Sequence, residues 1–171
     1  MKKATTILAL GLLALAPQMV EAQVGQGDNA SINATATVLA QLTVTGQNDL
    51  AFGQVIPGIP STIAATDVGS AGRFLVSGGG SSTVQLSFDL PGELDGPESA
   101  TMPITFASDA AGWGETNNSL GGTFSPHTTQ QESLVNGDLF VFIGGTVSPA
   151  NDQAQGEYTG EITLNVAYIS N

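Results

Sequence analysis

His127 is the only histidine in the 171-residue chain, and there is no cysteine. A Ser-His-Asp arrangement would have to use His127, which sits in the polar stretch Ser125-Pro126-His127-Thr128-Thr129. A nucleophile elbow of the form G-x-S-x-G does not occur, so nothing poises a serine for attack. A zinc site assembled from several His or Cys ligands is excluded on the same counts. The remaining candidates for acid–base work are Glu93, Asp95 and Glu98, in Pro91-Gly92-Glu93-Leu94-Asp95-Gly96-Pro97-Glu98. A catalytic acid needs burial to raise its pKa, whereas flanking Pro and Gly predict an exposed acidic turn. Calcium is the better use of such oxygens, with Asp109, Asn151 and Asp152 as further donors. The spacing of a calcium loop is nevertheless missing. Gly78-Gly79-Gly80-Ser81-Ser82 lacks the lysine of a phosphate loop. The sequons at Asn29, Asn33 and Asn117 match a pattern short enough to arise by chance. The expectation is a protein that is not an enzyme, with no cofactor and no metal.

The charge balance narrows the partners. The chain carries 15 acidic and 3 basic residues, a formal net charge of −12. Lys2 and Lys3 open a leader-like segment: an apolar run from Thr6 to Ala16 follows, and then Val20-Glu21-Ala22 with small residues at the cleavage positions. Residues 1–22 are therefore expected to be a signal peptide, and residues 23–171 a single exported domain. The apolar run is too short to span a bilayer, which takes roughly 20 residues. With the leader removed, Arg73 is the one strong cation left. Nucleic acid and anionic lipid headgroups both bind through Lys and Arg, so neither is an expected partner. The expected location is the periplasm, the cell surface or the medium of a Gram-negative type of bacterium. A cysteine-free chain of this size buries enough surface to fold without disulfides.

Position in the chain then decides what can act. From Ile32 the even residues Ile32, Ala34, Ala36, Val38, Ala40, Leu42 and Val44 alternate with polar neighbours, broken only by Leu39. From Tyr158 the even residues Tyr158, Gly160, Ile162, Leu164, Val166 and Tyr168 do the same. A period of two places one face in a core and one in water, so each run predicts a long terminal strand. Residues 23–31 read as a flexible start, and Gly46-Gln47-Asn48-Asp49 as a turn. Further strands are expected over 50–56, 61–66, 73–77 and 84–90. Another over 101–107 is expected to lie at an edge because of Pro103. Residues 108–136, rich in Gly, Asn, Thr, Gln and Ser, read as a long loop region with one short strand near 122–125. Residues 138–147, apolar at every position from Leu139 to Ile143, predict one central strand. About eight or nine strands at this spacing predict an all-β, two-sheet antiparallel sandwich of immunoglobulin-like type.

Three segments also carry a likeness. Leu50-x-Phe52-Gly53 follows the alternating first run. Ile143-Gly144-Gly145-Thr146 comes later, and then Gly156-x-Tyr158-Thr159-Gly160 leads into Asn165-Val166-x-Tyr168. Together these resemble a bacterial exported family catalogued as domain of unknown function 4402. That family is similar in layout to pilin-like domains of the spore-coat-U and chaperone–usher type. The resemblance implies a fimbria-like surface subunit that lends an N-terminal strand to a neighbour. Its implied partners are copies of itself or other surface subunits, with a periplasmic chaperone and an outer-membrane usher. This chain departs from the better-known pilins in having no disulfide and an alanine-rich candidate strand. Ile32, Ala34, Ala36 and Val38 are the residues expected to insert in strand addition. The same residues could equally form the first strand of their own domain. The alternative function is a monomeric secreted binding module, for example for a glycan, using the 108–136 region with Trp113 as a stacking platform or as a cap on the core.

Overall fold

The computed structural model describes residues 28–38 and 40–169. The expected signal peptide, residues 1–22, lies outside them, as do residues 23–27 of the expected flexible start. The described residues divide between Thr37 and Val38 into two units. In the first, residues 28–37 form neither helix nor strand and are exposed throughout.

The second unit is an all-β sandwich of twelve strands in three antiparallel sheets, rather than the eight or nine expected. The strands are β1 (Thr43–Asn48), β2 (Ser61–Ile63), β3 (Gly72–Ser77), β4 (Thr83–Asp89), β5 (Glu93–Asp95) and β6 (Thr101–Thr105). They continue with β7 (Ala111–Gly114), β8 (Gly122–Phe124), β9 (Gln130–Ser133), β10 (Asp138–Ile143), β11 (Gly145–Val147) and β12 (Thr163–Tyr168). A five-stranded sheet runs β1-β3-β10-β7-β8, a four-stranded sheet β2-β11-β6-β5, and a three-stranded sheet β12-β4-β9. Among the described residues no helix is long and apolar enough to cross a membrane.

The core draws on all three sheets. Val76, Leu139, Val141 and Ile143 come from the five-stranded sheet, Met102, Ile104 and Val147 from the four-stranded one, and Val84, Leu86 and Leu164 from the three-stranded one. Rings tie the sheets across it: Phe88 of β4 meets Phe74 of β3 edge-on at 6.2 Å and stacks with Phe124 of β8 at 6.3 Å. Burying each large side chain is worth about 1.5–3 kcal/mol. The strand expected over 138–147 divides at Gly144 into β10 and β11, which belong to different sheets, and β10 is the central strand of the five-stranded one. It is apolar on both faces for a reason the register shows. Val141 and Ile143 face the core, while Phe142 aligns with Arg73 and Gly112 on the opposite face. Phe142 is fully buried there. The 115–121 segment lies over that face: Arg73 Nη1 donates to the Asn117 carbonyl at 2.8 Å, and Leu120 lies against Gly112.

Both long terminal strands are shorter than expected, because a strand exists only where it has a partner. Thr43 pairs with Ser77, where β3 ends and turns through Gly78–Gly80, so residues before Thr43 have no rung to meet. Thr163 pairs with Asp89, where β4 ends; of the earlier residues only Thr159 bridges, to Asp95. The expected turn at 46–49 is instead a bulge, with Gly46 and Asn48 opposite Phe74 and Arg73 and Gln47 extra. The expected strand at 50–56 is irregular, although Leu50, Phe52 and Val55 pack on the core. Pro103 does not mark an edge, since β6 pairs with both β5 and β11. The missing N–H costs nothing because Ile104 N–H serves the β5 side at 3.1 Å. The β11 ladder stops at Ile104, and the Pro103 carbonyl still accepts from Ser148 at 3.0 Å.

The expected loop at 108–136 holds β7, β8 and β9. β7, Ala-Gly-Trp-Gly, has almost no intrinsic strand preference. It forms because only glycines admit the neighbouring backbone: a Cβ on Gly114 would collide with the Ser119 carbonyl oxygen. Gly144 plays a similar part between β10 and β11, where the chain passes from one sheet to another. A Cβ there would strike the Ile63 carbonyl oxygen.

Candidate functional site

One end of the sandwich is open. After β1 the chain passes through Leu50, Phe52 and Val55, which are half-buried against the core without joining a sheet. Facing them, residues 156–162 approach β12 with the Thr159–Asp95 bridge as their backbone pairing. Between these walls lies a groove of about 650 Å³, floored by Phe74, Leu94, Met102, Ile104, Ile143 and Val147. Several floor residues are core residues, so the groove is a gap in the core wall rather than a dent in the surface. Asn48, Asp49, Glu157 and Thr159 stand among its lining residues.

The wall at Tyr158 is fixed by its hydroxyl, which accepts from Gln153 Nε2 at 2.6 Å and donates to the Ala154 carbonyl at 2.9 Å. Gln153 Nε2 also reaches the Thr101 carbonyl at 3.0 Å. The tyrosine ring crowds Gly96 so closely that a Cβ there would overlap it. The opposite wall is unlike this. Among the described residues, no backbone N–H from Leu50 to Val55 has a backbone partner. This is irregular backbone that lies outside every sheet, with Gly53 at φ +66°. The apolar run from Leu50 to Ile56 was its trace in the sequence, and it read as a strand.

The far end of β1 is closed by Tyr168. Its hydroxyl accepts from Gly79 N–H at 2.7 Å and donates to the Ala40 carbonyl at 3.0 Å. Leu42 lies against Gly78 beside it. The clamp fixes where the chain enters the domain. Tyr168→Phe removes both bonds, each worth about 0.5–1.5 kcal/mol net. The expected loss is about 1–2 kcal/mol in urea unfolding, seen as a lower midpoint with an unchanged slope. An unaltered midpoint would show that the clamp does not hold.

The other sequence candidates are scattered. Ile32, Ala34, Ala36 and Val38 are exposed and in no strand, with Ile32 and Val38 each 94% accessible. Trp113 is half-buried on β7, on the same face as Val141, and packs against the core and over Gly121 and Gly122. The expected acidic turn is in fact β5 followed by a 3-10 turn at Pro97–Ser99, and Glu93, Asp95 and Glu98 are exposed on it. His127 Nε2 lies 2.8 Å from the Phe106 carbonyl, away from the groove floor. Among the described residues no three His, Asp or Glu side chains gather to hold a metal ion. The groove has an apolar floor with polar and acidic groups in its lining, and it offers packing.

Residues 42–168 match the family model described as Domain of unknown function (DUF4402). No curated protein is detectably similar to the chain in sequence. The matched span takes in every strand from β1 to β12 and stops short of Ile32–Val38. The chain belongs to the DUF4402 family.

Proposed function

We propose that the chain is a non-enzymatic structural subunit of the bacterial cell surface, fimbria-like and exported, which assembles by strand addition. The observation that supports this best is the segment ahead of the sandwich. Residues 29–48 contain no charged side chain in a molecule of net charge −12. Within them, Ile32, Ala34, Ala36 and Val38 alternate with polar residues and are exposed to solvent. A monomer gains nothing from exposing such a stripe, whereas an intermolecular strand would bury it. An acidic molecule repels copies of itself, so contact through its uncharged stretch is the least costly route to association.

The chain, expressed with its leader and purified after export, should form rods in negative-stain microscopy and ladders on unheated gels. A strictly monomeric elution profile at high concentration would rule the reading out.

A further inference from the structure

We infer that the free edge of β1 pairs with the same edge of a second copy, antiparallel about a two-fold axis at Val44. The contact lends no strand and does not involve the groove, so it stands or falls apart from the assembly reading above.

The first argument is which backbone groups are free. Val135 and Asp138 exchange both of their backbone bonds, at 2.9 and 3.1 Å. Asp138 therefore turns neither its N–H nor its C=O toward Ser77, the residue opposite it in β3. Ser77 points both of its own groups the other way, at its β1 partner Thr43. The alternation along β1 follows: Thr43 and Thr45 bond to β3, while Val44 and Gly46 aim their N–H and C=O outward.

The second argument is that this edge is unguarded. Sheet edges are normally kept from pairing by charge, proline or brevity. Among the described residues, the outer strands β2, β5 and β8 have three residues each, and β9 carries Glu132. β12 matches β1 in length, but Glu161 stands just before it and only Asn165 and Ala167 are exposed on it. β1 has neither charge nor proline and is exposed at all 6 positions. Residues 29–48 are uncharged in a chain of net charge −12, so two such edges meet where repulsion between copies is weakest.

The third argument is fit. With Val44 opposite Val44 of the second copy, Thr43 faces Thr45 and Leu42 faces Gly46. Val44 lies beside the buried Val76 on the core face and is 38% exposed, so it gains an apolar neighbour. A Cβ on Gly46 would meet nothing within 4 Å, which leaves room for Leu42 of the second copy. Threonine pairs line the opposite face, where β-branched residues pack well against one another. The bulge at Gln47 ends the free stretch. Both copies use the same patch, so the contact closes at two and joins their five-stranded sheets into one.

The test uses the full chain carrying Ile32→Asp, so that strand insertion does not bring copies together. One version adds Thr43→Cys and the other, marked with a tag, adds Thr45→Cys; both positions are exposed. In the proposed register they form a non-hydrogen-bonded pair with Cα atoms about 4.5 Å apart, within disulfide reach. The chain has no cysteine of its own, so each covalent dimer reports one link. Mixed and oxidised, the two should give the 43–45 dimer about tenfold or more above the 43–43 and 45–45 dimers, since docking raises the effective concentration of that pair alone. Comparable yields of all three dimers, or no dimer, would overturn the inference. If the unaltered chain forms rods and no 43–45 link appears, the assembly reading survives without this contact. If the link appears and the unaltered chain forms no rods, this contact survives and the assembly reading falls.

Discussion

Ile32→Asp is expected to abolish assembly. In the proposed assembly Ile32 would move from 94% exposure to burial against a neighbouring copy. That burial is worth about 1.5–3 kcal/mol. Replacing it with a carboxylate forfeits that gain and adds the cost of an unpaired charge, several kcal/mol on its own. The molecule's net charge of −12 worsens the cost. A total penalty above about 5 kcal/mol per junction weakens each contact by more than about a thousandfold. Rods should disappear from negative-stain fields and ladders from unheated gels, while the melting temperature of the sandwich stays as it was. Ile32→Val, which trims one methylene, should keep the rods. Intact rods from Ile32→Asp would refute strand addition through this segment, and a drop in melting temperature would show that Ile32 belongs to its own domain instead.

A loss of about 3–5 kcal/mol is expected from Phe142→Ala, the usual range for emptying a fully buried phenylalanine site. Phe142 is 0% exposed, yet it lies on the face of the five-stranded sheet turned away from the main core. Its cover is built from Arg73, held to Asn117, and from Leu120 against Gly112. A domain of this size is stable by roughly 5–15 kcal/mol, so the variant would be near the threshold of folding. Each kcal/mol corresponds to about 2–4 °C, which predicts a melting temperature lower by roughly 6–20 °C. Asn117→Gly, which keeps the accepting carbonyl but frees the backbone, should cost far less. If Phe142→Ala lost under about 1 kcal/mol in urea unfolding, the 115–121 segment would not be a true cover.

The groove was half legible in advance. Tyr158 and Ile162 belong to an alternating run and Leu50 and Phe52 to a continuous apolar one, so the sequence marks all four as apolar side chains of the core. What it does not mark is that residues 50–56 and 158–162 lie beyond the ladders: β3 begins at Gly72, one residue past the Arg73–Asn48 pair, and β4 ends at Asp89, opposite Thr163. Phe142 shows the same limit. An unbroken apolar run says that both faces of a strand are covered, without saying that 115–121, reading as loop, is one of the covers.

Side-chain alternation, the acidic balance and the single histidine settle the β-rich class and remove most reactive chemistry, because each depends on residue type and near neighbours alone. Which strand meets which, that 108–136 folds into three strands, and that a gap about 650 Å³ in size is left beside Leu50–Val55 were settled by tertiary pairing. Hydrogen-bond ladders join residues far apart in the chain, and whether an amide is filled or free depends on a partner that local sequence does not encode.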